Sequence, residues 1–409
     1  MIKKLISISQ KEFSYLIILS ILLVASKYAG LLFIPVFIVA FLKGRIRALN
    51  SIKLLWIIFF IAIISGKLNF LSDPYIYFKD FLFFLQVPLI LSVLVINRSS
   101  PFTQFKYLKI LIIFIFIVSL SDLGFILVNF DEYLSIGNFR FQLLYKANSS
   151  YSILGIGLLL PFLKYKPSIS MNIRYKSVFL TVLIVHILLS ASRTTLLLLP
   201  LIYVSPYLVR LKRAKLIVIA IAIIPVIGGS IQIFIDTFDL SSNSGLITKL
   251  LRSFDEIAIG DQANQELVSK NWRGYEAFLG VSQYLNGNIF NYIFGSGLGS
   301  YVIVPEDAFS GEVEGLQNIS FFHNGYITVL LKSGILGLFI FGNFLFSIIN
   351  KVYDHADNLI KVLTVNIVFI VVFVTLTSHG LYKPSVSIPL VLALGVCLKL
   401  INNKNYLTS

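Results

Sequence analysis

The sequence predicts an all-α, polytopic membrane protein of about twelve transmembrane helices. Three observations carry that reading. Of 409 residues, 57% are apolar and only 13% are charged, with a mean hydropathy of +0.88; soluble domains carry about 45–50% and about 25%. Apolar runs of roughly 14 to 23 residues recur, which does not fit the short alternating strands of an outer-membrane barrel. The breaks between the runs are polar and often basic. This composition excludes a soluble globule, a disordered tail and a nucleic-acid-binding domain, although 34 Lys+Arg outnumber 19 Asp+Glu.

In chain order the predicted spans are Phe13–Ser26, Ala29–Leu42, Leu54–Ser65, Phe81–Ile96, Tyr107–Asn129 and Tyr151–Leu163. They continue as Ser177–Ser192, Thr194–Val209, Lys215–Ile235, Gly325–Asn350, Val362–Ser378 and Ser385–Ile401. Several fall short of the ~20 residues that cross a bilayer upright, so their ends extend into flanking segments or the helices are broken. Met1-Ile2-Lys3-Lys4 is polar and no small-residue cleavage site follows the first run, so no removable signal peptide is predicted. Cys397 is the single cysteine and lies in an apolar run, which excludes an intramolecular disulfide and a cysteine metal cluster.

Charge sets the topology. With the N-terminus in the cytoplasm and loops assigned alternately, most Lys and Arg fall inside, while of the acids only Glu12, Asp354 and Asp357 do. Both termini are then cytoplasmic. Residues 1–235 hold nine spans, residues 236–322 form one long outer loop, and residues 323–409 hold three more spans. A loop of that length within a compact bundle is rarely mere connection. Ile247, Leu250, Leu251, Phe254 and Ile257 recur at helical spacing, as do Tyr275, Phe278, Leu279, Ser282 and Leu285. Two amphipathic helices over the bundle would cover a cavity from outside.

Candidate chemistry rests on scattered His, Arg and carboxylate. There is no HExxH, no GxSxG, no P-loop and no histidine pair at metal spacing. His323 opens the tenth span in Phe321-Phe322-His323-Asn324-Gly325. An imidazole there is near water yet shielded, as a general base requires, and the helix N-terminus beneath it would offer N–H groups to a phosphate. The alternative is an interfacial histidine bonded to a loop carbonyl. Arg193 stands between two apolar runs at an outer turn, against the positive-inside bias; it binds an anion in a cavity or snorkels to headgroups. Arg273 falls on the second amphipathic helix, as a ligand or as the i+3 partner of Glu276. Asp122 is the one clear acid within a span, either functional, protonated or locked to Arg193. Gly295, Gly297 and Gly299 read as tight turns, and Gly334 with Gly337 as a close contact between helices.

Together these fragments resemble the O-antigen ligase/polymerase superfamily of integral membrane glycosyltransferases. The pattern is His323-Asn324, nine residues, then Gly334-Ile335-Leu336-Gly337. Ser192-Arg193, Arg273 followed by Gly295-Ser296-Gly297, and Arg140-Phe141 before Asn148-Ser149 match further family elements. Where many members carry Glu just before the Gly-x-x-Gly, this chain has Lys332-Ser333, which weakens the case for a carboxylate beside His323. The resemblance implies a GT-C-like helical fold in the bacterial inner membrane with a periplasmic active site. It implies glycan transfer from undecaprenyl diphosphate with no cofactor and no metal, His323 as the base, and Arg193, Arg273, Asn324 and Arg140 as substrate-binding residues. Asp122 is a further candidate. Implied partners are undecaprenyl-diphosphate-linked repeat units, membrane lipids, a chain-length regulator and a flippase. A polymerase adding glycan to another lipid-linked repeat is the favoured activity. A ligase acting on lipid A–core is the alternative, and a flippase of lipid-linked oligosaccharide is a third reading.

Overall fold

A computed structural model describes residues 29–42, 52–96, 101–128, 149–165, 176–190, 193–211, 272–304, 318–382 and 384–402. The predicted first and ninth spans and the amphipathic segment 247–257 lie outside the described residues. Helices coincide with the other predicted runs. After a 3₁₀ turn at Ala29–Phe33 come α1 (Ile34–Leu42), α2 (Lys53–Ser65), α3 (Asn69–Ser72), α4 (Pro74–Ile96) and α5 (Pro101–Val128). Then follow α6 (Ser149–Lys164), α7 (Lys176–Ser190), α8 (Arg193–Leu208), α9 (Trp272–Leu285) and α10 (Ile289–Phe294). The last three are α11 (Gly325–Tyr353), α12 (Asn358–Thr377) and α13 (Pro384–Asn402). Between α10 and α11, β1 (Val302–Ile303) pairs antiparallel with β2 (Asn318–Ile319), Val302 opposite Ile319.

Four helices are long and apolar enough to cross a membrane: α4, α5 (over Thr103–Val128), α11 and α12. The protein is a membrane-embedded helical bundle. Helix α12 is its axis, packed by α6, α8, α11 and α13 and apolar nearly all round, as a fully enclosed helix must be. Its one buried amide, Asn366, donates from Nδ2 to the Gly157 carbonyl at 2.9 Å. By contrast α5 turns Ile113, Ile117, Leu120 and Leu127 outward, a face suited to lipid.

Two expectations are corrected here. The fourth helix begins at Pro74, seven residues before the predicted Phe81, and so takes Asp80 into the protein. Asp122 is therefore not the one acid among the spans. Asp80 and Lys332 are both fully buried and paired, Nζ to Oδ2 at 2.5 Å. Lys332 also donates to the Ser300 carbonyl, and the Gly299 N–H donates to Asp80 Oδ2 at 2.9 Å. The pair thus ties α4, α11 and the glycine-rich loop together.

The second correction is partial: Gly334 does make a close contact between helices, with α10, whereas Gly337 does not. Gly334 has φ +66° and breaks α11 into an upper and a lower piece. Its missing Cβ leaves room for the Ile293 carbonyl, which that atom would meet at 2.2 Å. The close contact is therefore to the end of α10 and its loop, not to another span. The room at Gly337 is taken by the Ser333 side chain of the same helix. The loop glycines are turns, as expected: Gly297, at φ +80°, lies flush on the Ser65–Gly66 backbone, and Leu298 N–H donates to Ala62 O at 2.8 Å.

Removing one partner of a buried ion pair strands the other charge, at a cost of about 3–5 kcal/mol; replacing both with apolar groups is close to neutral. Lys332→Met should accordingly lower the unfolding temperature in detergent sharply. Asp80→Leu/Lys332→Met should recover most of that loss.

Candidate functional site

The site is built by one close helix approach. Helix α9 runs beside the upper part of α11, and Gly280 is the point of contact. A Cβ there would meet Ile327 at 2.7 Å and the Phe322 ring at 2.8 Å. With no side chain at 280, α9 comes near enough for Glu276, one turn earlier, to reach the start of α11. Tyr275, Ala277, Phe322, Ile327 and Leu331 close the surrounding apolar cluster.

Glu276 is 2% exposed and both of its oxygens go to one residue. Oε1 accepts the His323 backbone N–H at 3.0 Å, and Oε2 lies 2.6 Å from His323 Nδ1. A carboxylate can only accept, so Nδ1 carries the proton and the other ring nitrogen, Nε2, keeps its lone pair when the ring is neutral. The His323 side chain is 37% exposed, so this nitrogen is within reach of solvent or a ligand. On its other side the ring lies tilted against His379, centroids 4.6 Å apart at 37°. His379 sits in the turn after α12, which is held by Gly325 N–H donating to Ser378 O at 2.9 Å. Tyr382 anchors the same turn, buried and stacked on Phe84 at 4.3 Å, and burial pushes its phenol pKa up.

The sequence left a carboxylate beside His323 in doubt, because Lys332-Ser333 precede the Gly-x-x-Gly. The structure supplies one from α9 instead. Local pairing of Glu276 with Arg273 is also corrected: Glu276 turns inward to His323, and Arg273 is exposed. Arg273 nonetheless stays one helical turn from Glu276, and i, i+3 positions on a helix are neighbours, about 5–6 Å between Cβ atoms.

The helix terminus is not open for phosphate. Asn324 is the N-cap of α11, its Oδ1 accepting Tyr326 N–H at 3.0 Å and Ile327 N–H at 3.4 Å. With Gly325 N–H bound to Ser378, the N–H groups expected to face a ligand are satisfied internally.

Of the remaining candidates, Arg140 lies outside the described residues. Arg193 opens α8, three residues after α7 ends at Ser190, with its side chain outside what is described. Asp122 faces His186, Oδ2 to Nε2 at 3.3 Å, and not an arginine among the described residues. The chain continues from His186 Nδ1 to Ser152 Oγ at 2.8 Å and on to Ser119 Oγ at 2.7 Å. This buried polar string joins α5, α6 and α7 apart from His323.

No protein-family model matches the chain, and a comparison with curated proteins finds none that matches.

A glutamine at 276 would keep an acceptor at one oxygen but turn an amide donor toward Nδ1–H. The ring escapes that conflict by moving its proton to Nε2. Nitrogen chemical shifts of His323 should show an Nδ1–H tautomer in the native protein and an Nε2–H tautomer in Glu276→Gln.

Proposed function

We propose that the chain is a glycosyltransferase of the O-antigen ligase/polymerase type, working at the periplasmic surface of the bacterial inner membrane within a bundle of about twelve spans. The observation that carries this reading is the Glu276–His323 dyad at the head of an apolar helix bundle, with Arg273 one turn away on the same helix. A sugar hydroxyl is a poor nucleophile and needs a base. A lipid diphosphate leaves well only where cations meet its growing charge.

In the proposed reaction His323 Nε2 takes the proton of the acceptor hydroxyl. The hydroxyl oxygen bonds to the anomeric carbon of the donor glycan as the bond from that carbon to the diphosphate oxygen breaks. The electron pair leaves with undecaprenyl diphosphate, and attack from the opposite face inverts the anomeric centre. Arg273 and Arg193 offset the charge on the diphosphate, with Asn324 and Arg140 as further substrate contacts. Glu276 holds the ring and stabilises the imidazolium as it forms. The favoured acceptor is a second undecaprenyl-diphosphate-linked repeat, which makes the protein a polymerase.

The purified full-length protein, given synthetic undecaprenyl-diphosphate repeat units and no other acceptor, should lengthen chains equally with and without a chelator. His323→Ala should reduce that rate by about 10²–10⁴-fold, the usual worth of a positioned base. Transfer that requires lipid A–core would make the protein a ligase. Absence of any transfer with either acceptor would overturn the proposal.

A further inference from the structure

Helix α11 is too long for one hydrocarbon layer, and its break at Gly334 marks where the excess begins. Below the break, residues 335–353 span about 28 Å at 1.5 Å per residue, close to the ~30 Å thickness of a bilayer core. Above it, the nine helical residues 325–333 rise about 14 Å, and His323 stands two residues beyond their start.

Two short helices from distant parts of the chain are fastened at the level of that break. Helix α10 ends against it: a Cβ on Gly295 would meet Ser333 N at 2.5 Å and Gly334 N at 2.6 Å. Ser65 at the end of α2 donates to the Phe294 carbonyl at 3.1 Å, which puts the end of α2 at the same height. Helix α3 follows directly, and Asn69 donates from Nδ2 to Ser296 O at 2.8 Å and Leu298 O at 2.9 Å. Neither helix spends its large side chains on the core. Leu71 on α3 is 78% exposed and Ile289 on α10 74%, with Phe290 and Ile293 also open, and at the start of α4 Tyr75 is 76% exposed and Phe78 is open.

An apolar girdle of this kind would be a liability in water. Its chemistry fits the bilayer interface. It combines aromatic rings with an exposed lysine, Lys67, and aromatic and long basic side chains favour the headgroup level. It also continues downward into the exposed apolar face of lower α11, at Ile335 and Phe339. We infer that α3, the start of α4 and α10 form a collar seated in the headgroup–acyl boundary of one leaflet, with lipid as its occupant. The collar sets the height of the His323–Glu276 site above the hydrocarbon. This holds whatever reaction that site performs.

The test uses the full-length protein in vesicles of phosphatidylethanolamine and phosphatidylglycerol. Native Cys397 is fully buried, so the unsubstituted chain is the labelling blank. Nitroxides are attached at Leu71→Cys and Phe290→Cys, with Tyr75→Cys and Ile289→Cys as second sites on each helix. Arg273→Cys, at the top of α9, is the aqueous reference. Collar labels should be relaxed more by oxygen than by a water-soluble nickel chelate, placing them within about 5–10 Å of the boundary, while the reference shows the reverse. Nickel access at the collar equal to that at position 273 would overturn the inference. So would dipolar broadening between labels of two copies, which would show a second chain covering the surface.

Discussion

A single buried carboxylate fixes the one exposed imidazole at the head of this bundle. Glu276 takes the backbone N–H of His323 with one oxygen and faces its ring nitrogen with the other, so position and orientation of the ring come from the same group. The carboxylate is excluded from water, and two hydrogen bonds offset the cost of burying it. The arrangement depends on helix proximity. Without the space at Gly280, α9 would stand off from Phe322 and Ile327, and Glu276 would fall short of its partner.

Beneath that contact lies a second polar layer. Asp80 and Lys332 join α4 to α11 and hold the backbone of the glycine-rich loop at Gly299 and Ser300. That loop leads from α10 to β1, and β1 rests against α9. The ion pair therefore steadies the segment from which the upper site is assembled. A buried pair of this kind adds little net stability, since desolvation consumes most of the Coulomb gain, but it penalises any arrangement that separates the partners.

Much of the architecture was legible because a chain in lipid must satisfy its backbone within each span, so apolar runs and helices coincide. Ser177–Ser192 was read nearly as the structure has it, and Gly325–Asn350 in its ends but not in its break at Gly334. The start of α4 was missed because Lys79 and Asp80 look like loop when the burial of Asp80 against Lys332 is unknown. The partner of His323 was missed for a related reason. Glu276 has Arg273 three residues before it, and local spacing favoured that neighbour over a histidine 47 positions away. A signal was present nonetheless: Gly280 follows Glu276 by one turn on the same helix face, the mark of a surface made for close approach. The link between Lys332 and Asp80, 252 positions apart, has no local signature at all.

The claim that Glu276 and His323 act as one unit is measured most directly by a double-mutant cycle on unfolding in detergent, comparing Glu276→Ala, His323→Ala and the double variant. Groups in direct contact couple by about 0.5–3 kcal/mol, and the account predicts a coupling within that range, with the double variant little less stable than the worse single one. Strictly additive losses would show that the two side chains do not hold each other, and the site described here would have no basis.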